Sequence, residues 1–358
     1  MQHLHTLTIY QNPAPLLVSR QAVFPGIVAL PEGSLLALFS IGQAFDAADT
    51  RAFVSHSQDA GNTWSAPTRL SAQEATPEES ESFKPLLLRD GTLIATGYVF
   101  VRPDPLAPIV DPETLGLLAL RNKVSFSTDG GQNWSAPATF DVQGQSLELS
   151  GPGLELASGR LLAAAAPFHL GKSGHAGWII ASDDKGHNWF KLSEFYSAPG
   201  GNVAPWECRL CEVSPGRVAV MMWAYDSAAG VNLDNKLALS DDGGLSFRTI
   251  ETGVHGQASS LIALGDNRLL TIHAHREAPV GLIVRRVDIT GDRFVMEEEL
   301  DLLGDASPAS DSSNIRNQFA SLKFGQPSLL KLPGGDILAA CWSFENSQYV
   351  IKGFRLSL

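Results

Sequence analysis

Six times along the chain an apolar run, a turn containing glycine and a second apolar run follow one another. The copies are IVALPEGSLLALFS (27–40), LLLRDGTLIATGY (86–98), GLELASGRLLAAAAPF (153–168), LCEVSPGRVAVMMWAY (210–225), LIALGDNRLLTIHAH (261–275) and LLKLPGGDILAACWSF (329–344). Their apolar positions are nearly continuous rather than spaced by three and four. Each copy therefore predicts a hairpin of two strands buried on both faces, and helical periodicity is absent almost everywhere.

A second unit follows four of these hairpins: SHSQDAGNTWSAP (55–67), SFSTDGGQNWSAP (125–137), ASDDKGHNWFK (181–191) and LSDDGGLSFRT (239–249). All fit Ser-x-Asp-x-Gly-x-(Thr/Asn/Ser)-(Trp/Phe), with serines at 57, 127, 182 and 240. A period of 55 to 70 residues is too long for one hairpin and suits one four-stranded sheet per repeat. The chemistry is that of a tight turn. Asp59, Asp129, Asp184 and Asp242 accept hydrogen bonds from their own turn. The ring that follows (Trp64, Trp134, Trp189 or Phe247) is available to pack between neighbouring sheets. In the fifth repeat VRRVDITGDRF reads as a degenerate turn, and the sixth stops one strand short after QYVIKGFRLSL. The alternating stretch LHTLTIYQ near the N-terminus supplies a candidate for that missing strand, which would close the ring and remove its exposed edges. The expectation is an all-β, six-bladed β-propeller of four-stranded antiparallel blades, forming one domain over residues 1–358.

Charge narrows the partners. The formal net charge of −12 argues against nucleic acid and anionic membrane surfaces, and no apolar run is long enough for a spanning helix. The start MQHLHTLTIYQ lacks the basic and apolar segments of a secretory signal, so a cytoplasmic location is expected. The cysteines Cys208, Cys211 and Cys341 are sparse and odd in number, which favours a reducing compartment. Cys208 and Cys211 lie three apart on a strand, hence on opposite faces. No His or Cys cluster completes a zinc set, and neither metal nor cofactor is expected.

These repeats resemble the Asp-boxes of the sialidase (neuraminidase) superfamily, and the order of hairpin then box matches over nearly the whole chain. The resemblance implies the propeller fold and a carbohydrate partner. It also implies a carboxylate-binding arginine triad, a Tyr–Glu nucleophile pair and an aspartate acid/base. The first arginine position holds Val23, the second lies in MMWAYD without arginine, and Arg276 is a loose match for the third. Where the tyrosine is expected stand Phe324 and Gln326. Glu207 fits the glutamate, while Asp49 is the better candidate for the acid/base and Asp46 the second.

Strand parity assigns the Gly turns and the Asp-boxes to one end of the ring. The variable loops, where function concentrates, lie at the other. There polar residues interrupt the apolar pattern: Lys84, Glu207, Arg209, Gln257, Gln326, Asp46, Asp49, Arg51, Arg276 and Glu345. Trp206, Trp223, Tyr225 and Tyr98 offer rings on which a sugar would stack. Paired carboxyls are what glycoside hydrolysis requires, and Asp49, or Asp46, with Glu207 is the expected pair. The sequence thus predicts an exo-acting glycoside hydrolase whose substrate is not an ordinary sialoside. Two alternatives stay open: a non-catalytic propeller binding glycan or protein, and a uronate-type polysaccharide lyase using His273, His275 or Tyr98. The insertion 101–121, stiffened by four prolines, is expected to be a lid or a subunit contact.

Overall fold

The computed structural model describes residues 1–111, 113–304 and 321–358. Six antiparallel sheets form the blades of a propeller. Blade 1 runs Gln21–Ala29, Leu35–Gly42, Arg51–Ser57 and Thr68–Arg69; blade 2 runs Glu78–Leu87, Leu93–Arg102, Leu120–Ser127 and Ala138–Phe140. In blade 3 the inner strand is split into Leu147–Glu148 and Leu154–Glu155, ahead of Leu161–Pro167, Gly177–Ser182 and Phe190–Tyr196. Blade 4 comprises Val203–Ser214, Arg217–Asp226, Lys236–Ser240 and Arg248–Glu251; blade 5 comprises Ser259–Gly265, Arg268–His275, Gly281–Asp288 and Val295–Asp301. Blade 6 is Phe324–Lys331, Ile337–Glu345 and Gln348–Ser357, completed by Gln2–Tyr10, which pairs antiparallel with Gln348–Ser357. The ring is therefore closed by the N-terminal strand, as the missing sixth outer strand requires.

The near-continuous hydrophobicity follows from this geometry. Successive residues of a strand point to opposite faces, and each face meets a different neighbouring blade. Leu36 and Leu38 join the core between blades 1 and 2, whereas Leu35, Ala37 and Phe39 join the core between blades 6 and 1. Cys208 and Cys211 divide in the same way, the first into the core between blades 3 and 4 and the second into that between 4 and 5. All three cysteines are free and buried.

Each Asp-box is a closed hydrogen-bond circuit. In blade 3, Ser182 Oγ donates to Asp184 Oδ1 (2.8 Å) and accepts from the Gly186 amide (2.8 Å). Asp184 also accepts from the Asn188 amide and side chain, and Trp189 Nε1 donates to Gly186 O (2.9 Å). The positive φ of 89° at Gly186 is the left-handed turn that glycine adopts most readily. Trp189 is thereby carried into the core between blades 2 and 3. In blade 5 the degenerate turn keeps one element, the Thr290 amide donating to Asp288 Oδ1 (2.7 Å).

Two predictions follow from these circuits. Trp189→Ala should cost about 3–5 kcal/mol of stability, read as a lower denaturant midpoint with an unchanged slope. The Asn188 side chain and amide, with Ser182, hold the Asp184 carboxyl down at about 2, below its ordinary 3.8. The stabilisation this gives is present above about pH 4 and is lost as pH falls toward 2. Asp184→Asn should therefore flatten the acid unfolding curve between those values, and an unchanged curve would refute the assignment.

Candidate functional site

At the end where the inner strands begin, the ring encloses a cavity of about 160 Å³. Its lining comes from the starts of inner strands and the exits of second strands, the two places that parity sets opposite the Asp-boxes. Three inner strands carry a β-bulge there, between Val23 and Gly26, Trp206 and Arg209, and Gly325 and Ser328. Within each bulge one non-glycine residue has a left-handed backbone: Phe24 (φ 61°), Glu207 (φ 47°) and Gln326 (φ 39°). All three line the cavity. A bulge breaks the strand's alternation and re-aims a side chain, and strain of this kind concentrates at functional sites.

The floor is a chain of hydrogen bonds that joins the blades. Lys84 Nζ of blade 2 donates to Phe24 O of blade 1 (2.6 Å) and to Gln326 Oε1 of blade 6 (3.1 Å). Gln326 Nε2 donates to Glu207 Oε1 of blade 4 (3.1 Å), and the Glu207 amide donates to Glu148 Oε2 of blade 3 (3.2 Å). From blade 5, the Arg276 amide donates to Gln257 Oε1 (2.7 Å), and its Nε donates to Phe324 O of blade 6 (3.1 Å). The guanidinium lies 5.6 Å from the Trp223 ring. Gly325 makes room for it, since a Cβ there would stand 2.1 Å from Arg276 Nη2. Glu207 Oε2 and Arg276 Nη1 are buried and have no hydrogen-bond partner among the described residues.

The walls are aromatic. Phe24, Phe45, Tyr98, Phe168, Trp206 and Trp342 all contribute, and Trp206 is backed by Tyr225, stacked at 4.7 Å and 15°. Ile109 and Val110 bring the 101–121 insertion against the cavity, while Leu106 stays 91% exposed. Arg102 anchors the insertion's base, donating to Asp46 O and Ala107 O at 3.1 Å each. Pro112 lies outside the described residues.

Burial in this setting raises carboxyl pKa values. Glu148 is pushed up to about 7, mainly by loss of solvent, against the Ser150 hydroxyl, with the Glu207 charge adding to the rise. Asp46 stands at the mouth, where its surface is open to water. Its carboxyl nonetheless sits among enough protein to be raised to about 6, desolvation outweighing the Arg102 charge. Glu81, whose Oε2 accepts from the Ala52 amide (2.8 Å), is raised for the same reason. Desolvation, then Arg209, drives the Lys84 ammonium well below its usual range, against Glu207 and Glu148. Among the described residues no group of three or more His, Cys, Asp or Glu is placed to hold a metal ion.

Of the residues expected from sequence, Asp46, Glu207, Arg276, Gln326, Tyr98 and Trp206 line this cavity. Lys84 and Gln257 brace the residues that do. Arg209 donates to Ser150 Oγ (3.0 Å) and Cys208 O (2.9 Å) behind the wall. Arg51 turns away to Glu78 (2.9 Å) and to backbone carbonyls. Asp49, preferred over Asp46 on the sequence, does not line the cavity; it accepts the amide of Gln43, earlier in the same loop, at 3.1 Å and so braces that loop. Glu345 is paired with Lys352 (2.9 Å). His273 and His275 are buried within blade 5 and do not line the cavity either, His275 meeting Arg285 at 3.1 Å. Glu148 and Glu81 went unnoticed in the sequence. The available signal was a charged residue at the opening of an inner strand, in LELSG and ESFKP, the position that drew attention to Glu207.

Comparison with known proteins places these features in a wider group. The profile of the BNR repeat-like domain matches residues 33–337. No curated protein matches the sequence significantly. A Dyadobacter fermentans protein of unknown function is similar in structure, with a TM-score of 0.79 at 21% identity over 100% of this chain and 99% of the other. The NanB sialidase of Streptococcus pneumoniae gives 0.65 at 14% identity, over 98% of this chain and 70% of that one. An intramolecular trans-sialidase from Ruminococcus gnavus, in complex with oseltamivir carboxylate, gives 0.61 at 14%, over 94% of each. At these identities the likeness is one of fold.

Because the Glu148 carboxyl is raised from 4.5 to about 7, the stability tied to its proton is full below pH 4.5 and is lost as pH rises through 7. Glu148→Gln, which cannot ionise, should gain on the wild type across that window by roughly 3 kcal/mol. Thermal unfolding at pH 5 and pH 8 measures this, and a difference that does not change with pH would contradict the burial argument.

Proposed function

The chain belongs to the BNR repeat-like domain family, and on that premise we propose that it is an exo-acting glycoside hydrolase working at the axial cavity. One observation carries the reading. Asp46, with its pKa raised to about 6, and Glu207, held by Gln326 and Glu148, enter one aromatic-walled cavity from blades 1 and 4. In a ring of six, those blades lie opposite one another.

The chemistry assigns a role to each. A sugar unit stacks against the rings of the wall, as pyranose faces do on indole and phenol. Asp46 retains a proton near pH 6 and gives it to the departing glycosidic oxygen as the carbon–oxygen bond breaks. Glu207 meets the positive charge that develops at the anomeric carbon, and water adds there to form the new carbon–oxygen bond. The proton that the water sheds passes to one of the two carboxylates, so that the pair regains the proton given to the leaving group. The left-handed backbone of Glu207 and the Gln326 hydrogen bond fix Oε1, and Oε2 is left without a hydrogen-bond partner among the described residues. Glu148 acts through Glu207 as a positioning residue, accepting its backbone amide. The wall residue Tyr98 has its hydroxyl pushed well above its ordinary range by burial and then by Glu148 and Glu207, and so remains a donor. The sialidase and trans-sialidase neighbours support a carbohydrate ligand by analogy of fold.

Asp46→Asn and Glu207→Gln should each lower kcat on a hydrolysed aryl glycoside by roughly 10²–10⁴-fold with unfolding temperature little changed. Asp49→Asn should stay within a few-fold of wild type. The rate should decline above about pH 6 as Asp46 loses its proton, and this limb should vanish in Asp46→Asn. A protein that binds sugars in the cavity but turns none over would be a binding propeller, and the proposal would fail.

A further inference from the structure

We infer that the cavity receives an uncharged sugar unit and discriminates against sugars bearing a carboxylate. The inference rests on the hydrolase reading for its ligand being a carbohydrate, and it concerns which carbohydrate.

The charge count of the lining carries it. Among the described residues four carboxyls reach the cavity surface, Asp46, Glu81, Glu148 and Glu207, against a single cation, Arg276. The other cations nearby are directed elsewhere. Lys84 is committed beneath the floor to Phe24 O and Gln326, and Arg209 to Ser150 and Cys208 O behind the wall. Arg51 pairs with Glu78, and Arg102 donates Nη1 to Asp46 O and Nη2 to Ala107 O. Arg102 Nε and Arg209 Nη2 are buried without a hydrogen-bond partner among the described residues, but neither residue lines the cavity. Arg276 itself is shared, with Nε on Phe324 O, its plane against Trp223 and Glu207 as the opposing charge. A sugar carboxylate entering here gives up its water and meets the acids of the lining as like charge wherever they are ionised. It would itself be pressed to take up a proton as they are, with one guanidinium in return.

The hydrogen-bonding inventory points the same way. Carboxyls offer acceptors in excess, and a neutral sugar is rich in hydroxyl donors. The raised pKa values of Asp46 and Glu148 mean that some of these groups also present O–H donors near neutrality, which suits the acceptor half of each sugar hydroxyl. The aromatic walls accept the apolar ring faces of a neutral unit without requiring any charge.

The test uses the full chain and one aglycone throughout. Methylumbelliferyl glycosides of neutral hexoses, pentoses, deoxyhexoses and N-acetylhexosamines are compared with the glucuronide, galacturonide, sialoside and glucosaminide. The best neutral substrate should exceed every acidic one by at least about 100-fold in kcat/KM. An acidic glycoside within tenfold of it, or the glucosaminide as the best substrate, would overturn the inference. Binding is read separately from turnover, through quenching of tryptophan fluorescence by the free monosaccharides. Neutral sugars that quench at lower concentration than uronic or sialic acids support the inference even if nothing is hydrolysed, in which case only the hydrolase reading falls. Tighter binding of the acids, or no binding of any neutral sugar, would sink it.

Discussion

The structure depends on polar groups at the axis satisfying one another. A propeller brings the openings of six inner strands to a common centre. The residues there cannot all be apolar if the centre is to bind anything, and they cannot be polar and unpaired without large cost. The chain solves this with one connected set, Phe24 O to Lys84 to Gln326 to Glu207 to Glu148, joined from the remaining side by Arg276 on Phe324 O. Every blade contributes a member. The set therefore fastens the ring at its axis while holding in place Glu207 and Arg276, two residues that line the cavity.

The two ends of the ring show how far environment governs one residue type. At the repeated turns Asp129 is drawn down to about 2 by the Asn133 amide and side chain and by Ser127. At the loop end Asp46 is pushed up to about 6 because solvent is lost without comparable hydrogen bonds to the ionised form. The first kind of aspartate is charged at all ordinary pH values and braces a turn. The second changes protonation in the range where acid–base chemistry operates. A motif that repeats is accordingly a poor guide to the reactive centre, and the irregular loops are a better one.

Much of the architecture was legible in the sequence. The count of hairpins set the number of blades, the Ser-x-Asp-x-Gly boxes located the tight end, and the short sixth repeat required the strand Gln2–Tyr10. These features are local. A glycine turn or an Asp-box contains its own partners within a few residues, so its composition alone specifies it. The end of the ring that holds the cavity was legible too, since it follows from strand parity.

Which side chains enter that cavity was decided elsewhere. Asp49 and Asp46 lie three residues apart in one loop, and sequence favoured the one that turns out to brace the Gln43 amide. Glu148 looked like an ordinary strand residue until its contact with Glu207, 59 positions away, was visible. Phe24, Glu207 and Gln326 reach the axis only because a bulge interrupts each strand. An inserted residue reverses the alternation that sequence reading relies on, so inward and outward exchange beyond it. The chain by itself determined six closed blades and the working end of the ring. Several members of the cavity were legible as polar or aromatic interruptions of the apolar pattern, among them Glu207, Gln326 and Arg276. The choice of Asp46 over Asp49 and the entry of Glu148 were left to the packing of distant strands, because a bulge and a long-range hydrogen bond have no signature within the segment that carries them.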